Sequence, residues 1–341
     1  MGAIELAIPL FERLPWPDAL SRAAVSFLVG RTRDKLNSAP GDVNRRFAAG
    51  MANYPIAESV DEANAQHYEV PAAFFDLVLG PQRKYSCCYY DDATTSLAQA
   101  EEAALVRTAE NSLLADGQDI LELGCGWGSL SLWMAARYPA ARITAVSNSQ
   151  SQRAFIERQV QARGLNNLRI ITADMNSFAP GQTFDRVVSV EMFEHMSNWR
   201  LLLERVRSWL KPDGLLLFHV FTHRSVPYRF DRSDKEDWIA QHFFTGGIMP
   251  SHGLIYEFSD LFSVDASWRW SGTHYARTAE DWLANFDRQA KAVDAVLKQT
   301  YGADAALWRR RWRLFFLATA GLFGHANGAE WGIGHYRLKP R

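Results

Sequence analysis

From Gly117 onward the chain alternates between short apolar runs and longer amphipathic stretches. The runs Ile120–Leu123, Ala141–Val146, Leu168–Thr172, Phe184–Val190 and Leu215–Phe221 predict strands, the first of them buried. Between them, Gly128–Arg137, Ser149–Arg163 and Trp199–Leu210 carry helical spacing. Lys211-Pro-Asp-Gly214 predicts a tight turn into the fifth strand. Strands alternating with helices predict an α/β fold, with a mostly parallel sheet and right-handed crossovers. Further on, Ser263–Ser271 alternates, with Trp268 and Trp270 on one face. Glu330–Leu338 predicts a last strand, placed as an antiparallel edge.

The flanks read differently. Residues 1–75 have weak helical periodicity, with a basic turn at Gly30–Lys35 and a break at Asn53-Tyr-Pro-Ile56. His67-Tyr-Glu-Val-Pro71 leads into a helical run, Ala72–Leu79, stopped by Gly80-Pro81. Lys84–Tyr90 is too short and polar for core helix, and Thr94–Leu114 reads as a helix with Thr95 as its cap. After the strands, Gly246-Gly247 and Pro250 make Trp238–Ser251 a loop. Helices are expected over Thr278–Thr300 and Leu307–Leu322. The predicted organisation is a helical N-terminal region (1–114), an α/β core (115–224) and a C-terminal cap with the last strands (225–341).

Composition excludes several classes. A net charge of -1 offers no field for nucleic acid. Three cysteines, two adjacent, cannot form a disulfide framework and fit a reducing compartment. No apolar stretch reaches the roughly 20 residues that span a bilayer, Leu314–Gly324 being too short. Acidic Glu5 without a basic, apolar leader argues against a signal peptide, so the expected location is cytoplasmic. Most of the twelve tryptophans follow residue 190, which suggests a pocket for something apolar, cationic or both.

The candidate chemistry sits at strand ends. Gly124, Gly126 and Gly128 join the first strand to a helix, where an α/β sheet opens its ligand crevice. Their G-x-G-x-G spacing differs from the dinucleotide fingerprint, and Ser147 and Asn148 stand where a ribose-binding acid is expected. Nicotinamide is therefore not the expected ligand. Ser147, Asn148 and Gln152 follow the second strand, where ribose hydroxyls would lie. Asp174 and Met175 follow the third, where a carboxylate can accept from an adenine amino group. Glu191, Glu194 and His195 end the fourth, and helical spacing would put them on one side. Such crowding should perturb their pKa values and poise a proton acceptor. A metal would need a further ligand such as His219 or His223, so none is expected.

Glu122-Leu-Gly-Cys-Gly-Trp-Gly128 resembles motif I of S-adenosylmethionine (SAM) dependent methyltransferases. Its Cys-Gly-Trp-Gly form resembles the branch that joins cyclopropane-fatty-acid synthases to coclaurine-type N-methyltransferases, and the likeness covers about residues 65–338. It implies a Rossmann-like class I fold with a seven-stranded sheet, SAM as cofactor and S-adenosylhomocysteine (SAH) as product. It also implies cofactor contacts from Tyr85 and Ser86, and Cys87 near the methyl-transfer centre. The synthases carry Gly where this chain has Glu191, whereas the N-methyltransferases share Glu191-Met-Phe-Glu-His195. In the synthases a bicarbonate is held by Cys, Glu, His and Tyr side chains. Cys87, Glu194 and His219 match three of these, with the tyrosine position placed at Phe315 or Phe316. On this reading Phe243, Trp312, Phe315 and Phe316 form a substrate cap and a small-molecule amine is the acceptor. The alternative is a lipid-modifying enzyme using bicarbonate, with Arg309–Arg313 meeting a membrane surface; a catalytically silent SAM-binding scaffold is a third reading. A homodimer is left open.

Overall fold

The computed structural model describes residues 12–39, 41–58, 70–234 and 237–341, so the readings of Glu5 and His67 lie outside the described residues. Five strands form a parallel set: β1 (Asp119–Leu123), β2 (Arg142–Ser147), β3 (Leu168–Thr172), β4 (Phe184–Val190) and β5 (Leu210–His223). Two short strands, β6 (Tyr228–Arg229) and β7 (Ile248–Met249), pair with each other. Strands β8 (Phe262–Ser271) and β9 (Trp331–Pro340) complete a seven-stranded sheet of order β3-β2-β1-β4-β5-β9-β8. The order reverses beside β1, so the carboxyl ends of β1 and β4 flank the crevice where such sheets bind ligands.

Three expectations are corrected here. The last strand is not an edge: β9 lies between β5 and β8, antiparallel to both, and β8 is the edge. The burial agrees, since β9 is buried along most of its length while β8 alternates. Lys211–Gly214 is not a simple turn before β5. Phe184 pairs with Leu210 and Arg186 with Leu215, so these four residues bulge out of one continuous strand. There Lys211 Nζ lies 2.7 Å from both Asp119 and Asp185. The expected Thr278–Thr300 helix is two, Gly272–Arg288 and Ala290–Tyr301, interrupted at Gln289. The first begins early because Ser271 caps it and because Gly272 lets two backbones approach. A Cβ there would come within 2.2 Å of the Phe323 and Trp331 carbonyls.

In the N-terminal region the cap of Leu97–Asn111 is Ser96, not Thr95, in a reciprocal capping box with Gln99. The helices Ala72–Val78, Gly272–Arg288 and Ala305–Gly324 pack into an aromatic core holding Phe74, Phe75, Trp282, Phe286, Trp312 and Phe316. Trp312 is wholly buried, 4.7 Å from the Phe74 ring and 5.1 Å from that of Phe243. Trp312→Ala should cost about 3–5 kcal/mol through the cavity it leaves. Denaturant unfolding at constant m would measure it, and a change within about 0.5 kcal/mol would show that the cap is loosely packed.

Candidate active site

The glycine loop after β1 is tied to β2: Gly124 N and Cys125 N both donate to Val146 O, at 3.0 and 2.9 Å. Gly124 and Gly126 have φ of 77° and 52°. A Cβ at Gly124 would strike Met192 at 2.6 Å, whereas one at Gly126 would meet nothing within 4 Å. The open side of Gly126 faces a cavity of about 220 Å³. All nine residues expected at a cofactor line it: Tyr85, Ser86, Gly124, Gly126, Ser147, Asn148, Gln152, Asp174 and Met175. Ser147 Oγ donates to Gln152 Oε1 at 2.6 Å, which fixes both side chains after β2. Asp174 also organises its own turn, accepting from Asn176 N at 2.8 Å. Glu122, the residue that opens the glycine motif, lines the cavity too. Its carboxyl accepts from Ser131 Oγ, and burial pushes its pKa up to about 7.

At the end of β4 the backbone turns sharply. Glu191 has φ 49°, a left-handed value that costs a non-glycine residue about 1–2 kcal/mol. The turn is held by Glu191 N donating to His219 O at 2.9 Å. The Glu191 carboxylate is ringed by donors. Oε1 accepts from Cys87 N at 2.8 Å and from His219 Nε2 at 3.1 Å; Oε2 accepts from the Tyr275 hydroxyl at 2.7 Å. Buried Lys84 holds the same loop in place, its Nζ donating to Ser86 Oγ and to Cys87 O. Burial holds the Glu191 pKa above the usual carboxylate value, and the Lys84 charge, the Cys87 amide and the Tyr275 hydroxyl offset only part of that rise. Glu194 lacks that support. It is fully buried, accepts from Phe221 N at 3.0 Å and leaves Oε2 unpartnered. Burial and then the Glu191 charge hold its carboxyl well above the usual carboxylate range.

The expected trio is thus split. Glu191 and His195 line the cavity, and His195 stacks on Phe244 at 4.3 Å, but Glu194 lies behind the wall. The three are not one face of a regular helix, because only a 3-10 turn, Phe193–His195, follows Glu191. The cap aromatics divide as well. Phe315 lines the cavity, whereas Phe243, Trp312 and Phe316 are wholly buried and pack behind it. Phe221 and Phe244 take the lining positions instead. Tyr275, in the first turn of Gly272–Arg288, brings a hydroxyl to Glu191, which neither Phe315 nor Phe316 could do. Among the described residues no group of three or more His, Cys, Asp or Glu is placed to hold a metal ion.

The sheet order, the glycine crevice and an acid-lined turn at the end of β4 define a class I SAM-dependent methyltransferase. The mycolic acid cyclopropane synthetase family matches residues 57–327, most of the chain, and the protein belongs to that family. Among its relatives, (S)-coclaurine N-methyltransferase of Thalictrum flavum subsp. glaucum is 36% identical over 291 residues, 84% of this chain and 81% of that one. Cyclopropane-fatty-acyl-phospholipid synthase of Escherichia coli K12 is 31% identical over 72% of this chain and 62% of its own length. The solved structure of coclaurine N-methyltransferase bound to N-methylheliamine and SAH superposes with a TM-score of 0.91 at 31% identity. That match covers 98% of this chain and 97% of the other. The cyclopropane synthase MmaA2 of Mycobacterium tuberculosis shares the fold, with a TM-score of 0.70 at 22% identity over 84% of this chain and 99% of the other.

Proposed function

We propose that this enzyme transfers the SAM methyl group to the nitrogen of an apolar amine. One observation carries the reading: an internal carboxylate fills the pocket that would hold a free anion. Cys87 N, His219 Nε2 and the Tyr275 hydroxyl are the donors that a bicarbonate would need, and all three are engaged by Glu191. The resulting site is a fixed negative charge at a cavity wall of Met192, Met196, Phe221, Phe244 and Phe315. It suits an amine that arrives protonated on an apolar body.

SAM carries its methyl group on a sulfonium, already activated, so the protein's tasks are to align the nucleophile and remove its proton. Alignment can supply roughly 7–11 kcal/mol. Glu191 draws in the cation; His195, the cavity's other titratable side chain on this turn, accepts the proton and frees the lone pair. Glu194, hydrogen-bonded to Phe221 N, supports the turn from behind. Tyr85, Ser86, Ser147, Asn148, Gln152, Asp174 and Met175 would hold the cofactor, with Gly126 giving it backbone access. The same reading makes the partner a small molecule. A cytoplasmic setting suits the three free, buried cysteines, and among the described residues no helix is long and apolar enough to cross a membrane.

The deciding experiment supplies SAM with a fully deuterated methyl group to a panel of amines and to phospholipids with unsaturated chains. An amine gaining all three deuteriums supports N-methylation. A lipid retaining only two, with turnover dependent on bicarbonate, overturns it and makes Cys87, His219 and Tyr275 a synthase site.

Glu122 adds a pH prediction. Ionised, it can face the α-ammonium of SAM; protonated, it cannot. With its pKa up at about 7, SAM affinity should rise with pH up to about 7 and level off above. Calorimetric titration from pH 5.5 to 8.5 checks this, and Glu122→Gln should flatten the curve. The same slope in that variant would assign the effect to another group.

A further inference from the structure

His219, one of the donors to Glu191, is itself backed by a second histidine. His219 on β5 and His335 on β9 are direct cross-strand partners, their rings 4.6 Å apart and both wholly buried. Asn111, at the end of Leu97–Asn111, reaches His335 from the other side, with Nδ2 3.1 Å from His335 Nδ1. Two ring nitrogens, His219 Nδ1 and His335 Nε2, are buried without a hydrogen-bond partner among the described residues.

The chemistry of these atoms is complementary. An ionised Glu191 can only accept, so His219 carries its proton on Nε2 and presents a bare lone pair at Nδ1. The Asn111 amide nitrogen can only donate, so His335 accepts at Nδ1 and carries its proton on Nε2. The orphaned donor thus belongs to one ring and the orphaned acceptor to the other. Trp270 packs on both rings, at 5.3 Å from His219 and 4.2 Å from His335, and limits their orientation.

We propose that Asn111 and His335 are positioning residues that hold His219 in its Nε2–H tautomer and so keep Glu191 a fully hydrogen-bonded carboxylate. Asn111 donates to His335 and His219 donates to Glu191, while the two rings meet in contact, 4.6 Å apart, without a hydrogen bond between them. With its proton on Nε2, His219 stabilises charge on Glu191 and cannot take a proton from it. Proton removal therefore falls to the cavity side, where His195 stands. The inference rests on the amine-methylating reading for its catalytic consequence, but not for the tautomer itself.

The test is Asn111→Asp in the full-length enzyme. A carboxylate can only accept, so His335 must move its proton to Nδ1 and turn a lone pair toward His219. Nitrogen-15 spectra of histidine-labelled protein should show His219 as Nε2–H in the native chain and displaced from that tautomer in the variant. The turnover number should fall about 10–100-fold with SAM affinity unchanged. His335→Gln, whose amide can still donate, should keep more activity than His335→Phe, which cannot. That pair carries the test if Asn111→Asp does not fold. Native His219 as Nδ1–H, or an Asn111→Asp enzyme with unshifted spectra and full turnover, overturns the inference. The spectra are read without an acceptor, so a wrong acceptor class would leave the tautomer result standing.

Discussion

A Glu191→Gln enzyme should bind SAM normally and transfer methyl about 10²–10³-fold more slowly. The substitution is close to isosteric, and the ring of donors can accommodate it. The amide oxygen can accept from Cys87 N and His219 Nε2, while the amide nitrogen donates to the Tyr275 oxygen. The fold and the left-handed turn should therefore survive, and what disappears is the charge. The loss should fall on amines that are protonated at the assay pH, with weakly basic acceptors affected least. Steady-state kinetics across an amine series of graded basicity would show it. Uniform near-native rates would remove Glu191 from the chemistry. Glu191→Gly goes further, because it empties the donor ring. Amine methylation should be lost, and Cys87 N, His219 Nε2 and Tyr275 should become a receptor for added bicarbonate. Titration by calorimetry would detect that binding, and its absence would mean that the ring collapses without its carboxylate.

His195→Ala should lower methyl transfer by about 10²–10⁴ if the imidazole takes the proton. The ring lies against Phe244 at the cavity wall, 4.3 Å between centroids and 28° from parallel. Truncation leaves a ring-sized space there, so added imidazole should restore part of the rate. Rescue should depend on the basicity of the added base. SAM binding should be unchanged, because the residues proposed to hold the cofactor lie in the Tyr85–Ser86 segment and on the loops after β1, β2 and β3, not on the turn that carries His195. A variant with native turnover, or one that no base rescues while its fold is intact, would move the acceptor role elsewhere. Glu194→Gln offers a contrast. Its carboxyl is held well above the usual carboxylate range and its accepted bond from Phe221 N survives in the amide, so turnover should change far less than in His195→Ala.

Much of this architecture is visible in the chain itself. The bounds of β3 and β4 coincide with the predicted runs, although β3 is a half-buried edge strand and β4 an interior one. The cavity lining after β1, β2 and β3 was equally plain, because a parallel sheet opens its crevice at strand ends that can be counted. What stayed hidden depends on contacts between distant residues. Tyr275 meets Glu191 across 84 positions, and nothing local separates it from any tyrosine opening a helix. Strand β9 holds Gly332 and Gly334, which weaken a strand signal, and its interior place depends on β8 pairing outside it. Apolar spacing told which side of Ala305–Gly324 is buried, but not that Phe315 alone of the named cap residues would reach the cavity.

The backbone angle at Glu191 has a consequence for how such sites diverge. Glycine adopts that angle freely, and glutamate tolerates it here because its side chain is anchored at both oxygens. The codons of the two residues differ by one base. A lineage can therefore exchange a borrowed, dissociable anion for a tethered one without rebuilding the loop, and can reverse the exchange as easily.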